Sequence, residues 1–335
     1  MARLIVGGWQ LAADHGKAYD RETVLGELEA LVDAGLTTFD CADIYTGVEE
    51  LLGELLRRVG PRRVQVHTKY VPDRSRLAGL GAADVGAAVD RSLGRLGVER
   101  LDLVQLHWWD WEVQGWLETA AELDRQRAAG KIRCLGVTNT DVPHLTPLLD
   151  AGLPIVSNQV QYSLVDRRPE HGMTELCASR GVHLLCYGSL AGGFLSDQWL
   201  GAPEPAEPLA NRSLVKYRLI LEEVGDWELV QRLLGEVGAV ARVDGADVAA
   251  AAVRWVLNRP AVAAAIVGAG IRSHPGTLEG IRRTVWDEAA YERIDRILAA
   301  GRGGPVGHVY ELERMPGGRH ASILRTELHR EEERT

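Results

Sequence analysis

The sequence of 335 residues has few cysteines, few lysines and no apolar run long enough to span a membrane. Its four cysteines, Cys41, Cys134, Cys177 and Cys186, are scattered and form no CxxC pair. Three of them lie in apolar runs, where a thiol behaves as a small hydrophobic group. This usage fits a reducing compartment. The N-terminal apolar run is too short for a secretion signal, so we expect a cytoplasmic location.

Two further absences concern metals and nucleic acids. None of the ten histidines belongs to an HxxxH or HxH pair, so no metal site is expected. The formal net charge of -9 argues against a nucleic-acid partner, because phosphate binding needs clustered Lys and Arg. No GxGxxG motif follows the first apolar run, which tells against a Rossmann dinucleotide site.

Eight short apolar runs alternate with longer segments of helical apolar spacing. The predicted strands are Leu4–Gly8, Thr37–Ala42, Val64–Lys69, Leu101–His107, Ile132–Thr138, Ile155–Gln159, His183–Tyr187 and Val262–Gly268. Helical spacing occurs at Val48–Val59, Val85–Leu96, Leu117–Ala129 and Val248–Leu257. Such alternation implies right-handed βαβ crossovers and a parallel sheet. Eight units favour a closed (β/α)8 TIM barrel of the α/β class.

The organisation predicted along the chain is a single barrel domain over residues 1–300, since no Ser-, Pro- or Gly-rich linker divides it. The stretch Leu195–Trp227 is too long for a barrel turn, and we expect a functional or a disordered loop after strand 7. Residues 301–335 begin Gly-rich and end charged. They are expected to be a C-terminal extension that is partly disordered or covers the pocket.

Ionisable side chains stand at or near the ends of three consecutive predicted strands: Asp40, Lys69 and His107. In a barrel of this type the active site lies where strands end and βα loops begin. Buried charges occur mainly when they are paired or used. Lys69 is one of only four lysines in a chain rich in arginine, which indicates a need for an ammonium at that position.

Five segments in order resemble the aldo-keto reductase superfamily: FDCADIYTGVEELLG, VHTKY, DRSLGRLGVERLDLVQLHW, GKIRCLGVTN and NQVQYSLVDRR. The resemblance runs from about Gly7 to Asn258. It implies an NADP-dependent oxidoreductase that reduces a small-molecule aldehyde or ketone to an alcohol, or catalyses the reverse. The family's catalytic tetrad would be Asp40, Tyr45, Lys69 and His107.

The chemistry expected of this tetrad is proton transfer to a substrate oxygen. A free phenol has a pKa near ~10, and an adjacent ammonium favours its phenolate. Lys69 would supply that charge, Asp40 would hold the lysine, and His107 would donate a hydrogen bond to the carbonyl while Tyr45 gives the proton. The alternative is a structural Asp40–Lys69 salt bridge with Tyr45 as a capping phenol. Asp43 is expected to be a surface or loop-capping residue.

Cofactor contacts follow from the same resemblance. Thr138, Asn139 and Gln159 would hydrogen-bond the nicotinamide carboxamide, and Tyr187 would stack on the ring. For Asn139 and Gln159 the alternative is structural loop bonding. Gly188, Ser189 and Leu190 would pass near the pyrophosphate.

The turn after strand 8 departs from the family pattern. Relatives usually have a Gly-Ala-Arg turn and then an Asn, whereas here the arginine is displaced to Arg272 and neither Gly280 nor Ile281 is Asn. Gly268, Arg272 and Ser273 would bind there, and an arginine beside a serine suits a 2′-phosphate. We therefore expect NADPH to be preferred, with NAD as the alternative cofactor.

Five aromatic residues at or just beyond strand ends are expected to form the substrate pocket: Trp9, Tyr70, Trp108, Trp109 and Trp111. Such a pocket would suit an apolar or ring-bearing carbonyl compound. The alternative is that some of these rings only pack under loops.

Two other functions stay open at this stage. One is a cofactor-holding regulatory subunit that kept the barrel and lost turnover. The other is a redox-neutral lyase or epimerase on the same barrel. Consumption of NADPH with aldehydes and ketones separates all three.

Overall fold

The computed structural model describes residues 3–12, 19–270, 274–324 and 326, and it contains a closed barrel of eight parallel strands. The strands are β1 (Leu4–Gly7), β2 (Thr38–Asp40), β3 (Gln65–Tyr70), β4 (Leu101–His107), β5 (Ile132–Thr138), β6 (Ile155–Gln161), β7 (His183–Tyr187) and β8 (Val262–Gly268). Each strand pairs with the next, and β8 pairs with β1. The predicted TIM barrel is confirmed. Four strands have the predicted bounds, and the others differ by one or two residues at either end.

Helices cover the outside of the barrel. The longer ones are α1 (Arg21–Asp33), α2 (Val48–Val59), α3 (Ala82–Leu96), α4 (Trp116–Ala128), α5 (Val142–Asp150), α6 (Met173–Arg180), α7 (Arg212–Val224), α8 (Trp227–Val243), α9 (Val248–Leu257), α10 (Pro275–Arg283) and α11 (Glu288–Ala299). Two short helices follow, α12 (Glu311–Arg314) and α13 (Arg319–Ser322). No helix among the described residues has the length and apolar character needed to cross a bilayer.

The contact of α2 with α3 shows how the helical layer packs. The apolar face of α2 buries Leu51, Leu52 and Leu55, at the spacing of one side of a helix. Gly53 faces the end of α3, where a β-carbon would stand 2.6 Å from the Arg95 carbonyl oxygen. The two helices approach this closely because the position has no side chain.

The barrel interior changes character from one end to the other. A small apolar cluster of Ile5, Leu103, Leu185, Ala264 and Ile266 is separate from the larger core between the sheet and the helices. Toward the carboxyl ends of the strands the buried side chains become polar. The strand register places Lys69 beside Gln105, His107 beside Thr138, and Thr138 beside Gln159. Polar groups from several strands therefore converge on one end of the barrel.

The segment after β7 is partly helical, which corrects the expectation of a loop over Leu195–Trp227. The irregular part spans residues 188–211, with short 3-10 turns at Ala191–Gly193 and Asp197–Trp199. Asn211 then caps α7 through its side chain, and α7 buries Tyr217, Ile220, Leu221 and Val224 against the protein. That spacing is helical.

The C-terminal segment packs back on the barrel through α12 and α13. Buried Glu313 in α12 pairs with Arg168, and the Arg314 guanidinium donates to the Asn139 and Trp108 carbonyl oxygens at 2.9 and 2.7 Å. The described part, residues 301–324, thus contributes to one wall of the barrel mouth. The predicted disorder concerns mainly residues 327–335, which lie outside the described residues.

Candidate active site

A cavity of about 860 Å³ opens at the carboxyl ends of the strands. Its size is within the range of small-molecule sites. All four predicted catalytic residues line it: Asp40, Tyr45, Lys69 and His107. Within the described ranges, no group of three or more His, Cys, Asp or Glu side chains is arranged to hold a metal ion.

Lys69 and Asp40 form a buried ion pair. Lys69 Nζ donates to Asp40 Oδ2 at 2.6 Å and to the Cys41 carbonyl oxygen at 2.7 Å. Burial by itself would lower the pKa of Lys69, but the Asp40 carboxylate and the Tyr45 phenol outweigh it and the pKa lies above the usual value. The other Asp40 oxygen accepts from Gln159 Nε2 at 2.6 Å. Lys69 is therefore a charged ammonium held in one place.

Tyr45 lies beside this ammonium, which is 5.3 Å from the centre of its ring. The edge of Trp9 contacts the same ring, with centroids 5.1 Å apart. Burial raises the pKa of Tyr45, and the Lys69 charge offsets only part of that rise. The ammonium lowers the pKa of the phenol as predicted, but burial outweighs it, so the net pKa of Tyr45 lies above the usual value. Tyr45 stays protonated, which is the form that a proton donor needs.

His107 is a neutral imidazole in the same cavity. Burial, with the Arg314 charge as the second cause, lowers its pKa to about 3. The ring packs edge-on against Trp109 at 4.3 Å and Tyr310 at 5.6 Å between centroids, and Nδ1 lies 3.5 Å from the Thr138 carbonyl oxygen. A neutral ring carries one proton. If the proton is on Nε2, this N–H can donate a hydrogen bond to a substrate oxygen. If it is on Nδ1, the N–H donates to the Thr138 carbonyl oxygen.

The predicted cofactor residues that fall within the described ranges line the same cavity. They are Thr138, Asn139, Gln159, Tyr187, Gly188, Ser189, Leu190 and Gly268. Two of the side chains already have protein partners, as the loop-bonding alternative anticipated. Gln159 donates to Asp40, and Asn139 Oδ1 accepts from the Tyr187 hydroxyl at 2.8 Å.

The loop after β7 has features that fit a bound dinucleotide. Ser189 is buried, and its hydroxyl has no hydrogen-bond partner among the described residues. Gly188 has a φ of +71°, and a β-carbon there would stand 2.2 Å from the Tyr217 hydroxyl oxygen. At Gly268 a β-carbon would meet Gln10 Oε1 at 2.8 Å. Both glycines allow close packing of cavity-lining protein groups, and the Ser189 hydroxyl is left available to a ligand.

The turn predicted to hold the 2′-phosphate is described only at its edges. Arg272 and Ser273 lie outside the described residues, so their role stays a prediction. His274 and Thr277, which follow them, line the cavity.

The predicted aromatic pocket is only partly correct. Trp9 and Trp109 line the cavity, whereas Tyr70, Trp108 and Trp111 are not among its described lining residues. Tyr70 and Trp108 are buried in the core. Trp111 stacks on His144, with centroids 4.1 Å apart. These three rings pack against the protein, so of the five predicted rings only Trp9 and Trp109 are placed where they could meet a substrate.

Asp43 was expected to be a surface or loop-capping residue, and its environment differs from the first of these. It is buried instead of lying at the surface. Its carboxylate oxygens accept from the Val71 backbone N–H at 3.2 and 3.3 Å, so it supports the loop after β3.

The lining residues that sequence reasoning missed include Lys216 and Tyr217 on α7, and Tyr310 just before α12. The rarity of lysine was a signal for Lys216. No local pattern brings Tyr310 to the cavity, because it reaches it through the C-terminal segment.

The profile of the Aldo/keto reductase family matches residues 3–299. The chain belongs to this family and is an NAD(P)H-dependent oxidoreductase of the aldo-keto reductase type. The resemblance seen in the five segments is confirmed.

Particular relatives differ in how much of their length is shared. Aldo-keto reductase YhdN of Bacillus subtilis is 27% identical over 318 residues, covering 91% of this chain and 92% of the relative. Flagellar radial spoke protein 5 of Chlamydomonas reinhardtii is 28% identical over 350 residues. That match covers 85% of this chain but 64% of the relative, so the chain spans less than two thirds of that longer protein.

Solved structures share the fold. The glycerol dehydrogenase of Gluconobacter oxydans superposes with a TM-score of 0.75 at 25% identity, covering 91% of this chain and 94% of that one. An aldo-keto reductase from Klebsiella pneumoniae in complex with NADPH gives a TM-score of 0.67 at 25% identity, with 91% and 92% covered.

Proposed function

We propose that this protein transfers a hydride between NADP(H) and a small aldehyde or ketone, with Tyr45 as the proton donor to the substrate oxygen. The observation that carries the proposal is the convergence of Tyr45, the Lys69–Asp40 pair and His107 on one cavity. Relatives support the reaction class, since two Escherichia coli proteins similar to this chain are named as methylglyoxal reductases.

The cofactor assignment draws on the same comparisons. The Klebsiella pneumoniae structure contains NADPH, whereas one of the methylglyoxal reductases is described as NADH-specific. NADPH is our first choice and NADH the alternative. Gly188, Ser189 and Gly268 would hold the dinucleotide through backbone groups and the unused Ser189 hydroxyl, and Tyr187 would carry the flat ring.

When bound, the nicotinamide supplies the hydride for reduction or accepts it in the reverse direction. The protein's own contribution is to the oxygen atom. Tyr45 gives its phenolic proton to that oxygen, and the Lys69 ammonium stabilises the phenolate that is left behind. Asp40 keeps the ammonium in place through the 2.6 Å contact. His107, neutral by burial, would carry its single N–H on Nε2 and donate a hydrogen bond from it to orient the carbonyl.

The decisive experiment is the Tyr45→Phe variant, assayed for NADPH oxidation with methylglyoxal and other aldehydes. We expect turnover to fall by about 10² or more, the range for loss of a general acid. The dissociation constant for NADPH, from fluorescence titration, should stay within a few-fold, because the change removes one hydroxyl. Tyr291→Phe is the matched control, since Tyr291 does not line the cavity. A rate for Tyr45→Phe within a few-fold of the native rate contradicts the assignment.

The same assays separate the two remaining functions. NADPH binding without consumption by any aldehyde or ketone would indicate a regulatory subunit. Conversion of substrate with no net NADPH consumption would indicate a lyase or epimerase.

A further inference from the structure

Lys216 is a cationic side chain in the cavity that the proposed reaction does not use. It lies near the start of α7 and lines the cavity with its side chain one-fifth exposed (20%). Its Nζ atom is 5.0 Å from the ring centre of Tyr187, 5.5 Å from that of Tyr217 and 5.8 Å from that of Tyr310. We call these three rings the tyrosine cage.

No hydrogen-bond acceptor of the described residues lies within reach of this ammonium. The nearest carboxylate oxygen, Glu313 Oε1, is 3.9 Å away, which is beyond a hydrogen bond. Glu313 is already bound by Arg168, whose Nη1 and Nη2 donate to its two oxygens at 2.9 and 3.3 Å. An ammonium has three N–H donors. Those of Lys216 have only the tyrosine cage and the cavity to face.

The cage does not replace the missing hydrogen bonds. The faces of these rings attract a cation but accept no conventional hydrogen bond, so the three donors stay unsatisfied. Burial lowers the pKa of Lys216, which reflects the cost of holding this charge away from water. An anionic oxygen entering the cavity would accept those bonds and offset that cost.

Tyr310 lies between Lys216 and His107, a member of the proposed tetrad. Tyr310 contacts both groups: its ring centre is 5.8 Å from Lys216 Nζ and 5.6 Å from the His107 ring centre, so Nζ lies within about 12 Å of His107. The other buried ammonium, Lys69, is occupied by Asp40 and the Cys41 carbonyl. Lys216 is thus the lysine of the cavity whose donors are available to a ligand.

We propose that Lys216 binds an anionic group of the carbonyl substrate, so that the preferred substrates are aldehydes or ketones carrying a carboxylate or a phosphate. This inference rests on the proposed carbonyl reduction and adds a substrate class to it. A competing source of the same chemistry is a phosphate of the cofactor, and the test includes an arm for it.

The experiment compares matched substrate pairs in native protein, Lys216→Met and Lys131→Met. The pairs are succinic semialdehyde with its methyl ester, and glyceraldehyde phosphate with glyceraldehyde. Methionine keeps an unbranched apolar stem, so the change removes mainly the charge. Lys131 is a surface lysine paired with Asp90 and serves as the matched control. The readout is the ratio of kcat/KM for the anionic member to that for the neutral member of each pair.

We expect the native ratio for at least one pair to exceed ten, and Lys216→Met to reduce that ratio by about 10- to 100-fold, the range for loss of a charged hydrogen bond. Lys131→Met should keep the native ratio. Native protein without preference for the anionic member of either pair would overturn the proposal. A preference that survives in Lys216→Met would overturn it too.

Two binding measurements separate the remaining outcomes. If Lys216→Met weakens NADPH binding tenfold and leaves the substrate ratio unchanged, Lys216 serves the cofactor and the proposal is wrong. If no aldehyde is turned over, the proposed reaction fails, and the anion site is then judged by succinate binding, followed by tryptophan fluorescence. Succinate binding that is lost in Lys216→Met supports the site, and succinate binding equal in both proteins overturns it.

Discussion

Replacing Glu313 by glutamine tests the buried charges that attach the C-terminal segment to the barrel. Arg168, 1% exposed, donates to Glu313 and also holds Asp166 through two contacts at 2.9 and 2.7 Å. Burial would raise the pKa of Glu313, but the Arg168 and Lys216 charges outweigh it and lower the value from 4.5 to about 2. At 1.36 kcal/mol per unit this shift corresponds to about 3 kcal/mol. Removing one partner of a buried ion pair independently suggests about 3–5 kcal/mol.

The assay is equilibrium urea unfolding of native protein, Glu313→Gln and a surface control. Glu292→Gln is suitable as the control because Glu292 is 63% exposed and lies 3.6 Å from Arg296. A surface pair of this kind contributes about 0–1 kcal/mol. We expect the free energy of unfolding to fall by about 3 kcal/mol in Glu313→Gln. A loss below about 1 kcal/mol, or one equal to that of the control, would refute the reasoning.

The pH dependence of this loss has a definite sign. The pKa of Glu313 is lower in the folded than in the unfolded protein, so its contribution is complete above the unfolded value of 4.5 and declines as the pH falls toward about 2. The difference in unfolding free energy between native protein and Glu313→Gln should therefore shrink between pH 6 and pH 3. A difference that stays constant or grows over that interval contradicts the electrostatic account.

Two further predictions concern the catalytic groups. Lys69→Met should abolish most turnover and destabilise the protein by about 3–5 kcal/mol, because it leaves Asp40 buried without its cation. The double variant Asp40→Asn with Lys69→Met should recover stability but not activity. Urea unfolding measures the stability of both variants, and the rate of NADPH oxidation measures their activity. Because burial raises the pKa of Tyr45, the kcat for carbonyl reduction should show no loss from this phenol between about pH 7 and 9. The reverse oxidation should accelerate with pH over the same interval, because it needs the deprotonated phenol. A reduction rate that falls with an apparent pKa near ~7 would contradict a raised pKa for Tyr45.

Two sets of ion-paired charges lie at the cavity and behind its wall. Lys69 and Asp40 form an ion pair at the base of the cavity, beside Tyr45. The ammonium of this pair would serve the proposed proton transfer. Asp166, Arg168, Glu313 and Lys216 form a second set, which joins β6 and the loop after it to the C-terminal segment and leaves one ammonium facing the cavity. In the proposed mechanism the first set serves the reaction, and the second attaches the C-terminal segment beside the cavity.

The predicted strands succeed because their signal is local. A buried strand in a barrel shows as a short apolar run, and Leu101–His107 and Ile132–Thr138 are recognisable in that way. A residue at the end of such a run lies at the carboxyl end of a strand, where the active site of this fold is found. Lys69 and His107 could therefore be placed near the site from their positions alone. The family motifs then supplied the proposed tetrad.

The errors arise where the position of a residue in the sequence does not fix the direction of its side chain or its burial. Trp108 and Trp109 are neighbours at the end of β4, and successive residues leave a strand on opposite sides, so one enters the core and the other lines the cavity. The start of α7 was overlooked because a proline-rich stretch precedes it, although Tyr217, Ile220 and Leu221 have helical spacing. The raised pKa of Tyr45 depends on burial, which the motif does not contain.

The amino-acid sequence by itself determined the barrel and the order of its elements, because apolar periodicity is a local property of the chain. Its family motifs also singled out the residues that we propose for proton transfer. Only the tertiary structure decided which aromatic rings line the cavity, how far the phenol is shielded from water, and that a lysine of α7 and a tyrosine before α12 lie in the same cavity. These depend on contacts between residues such as Lys216 and Tyr310, which are far apart in the chain, and on the water excluded when those contacts form.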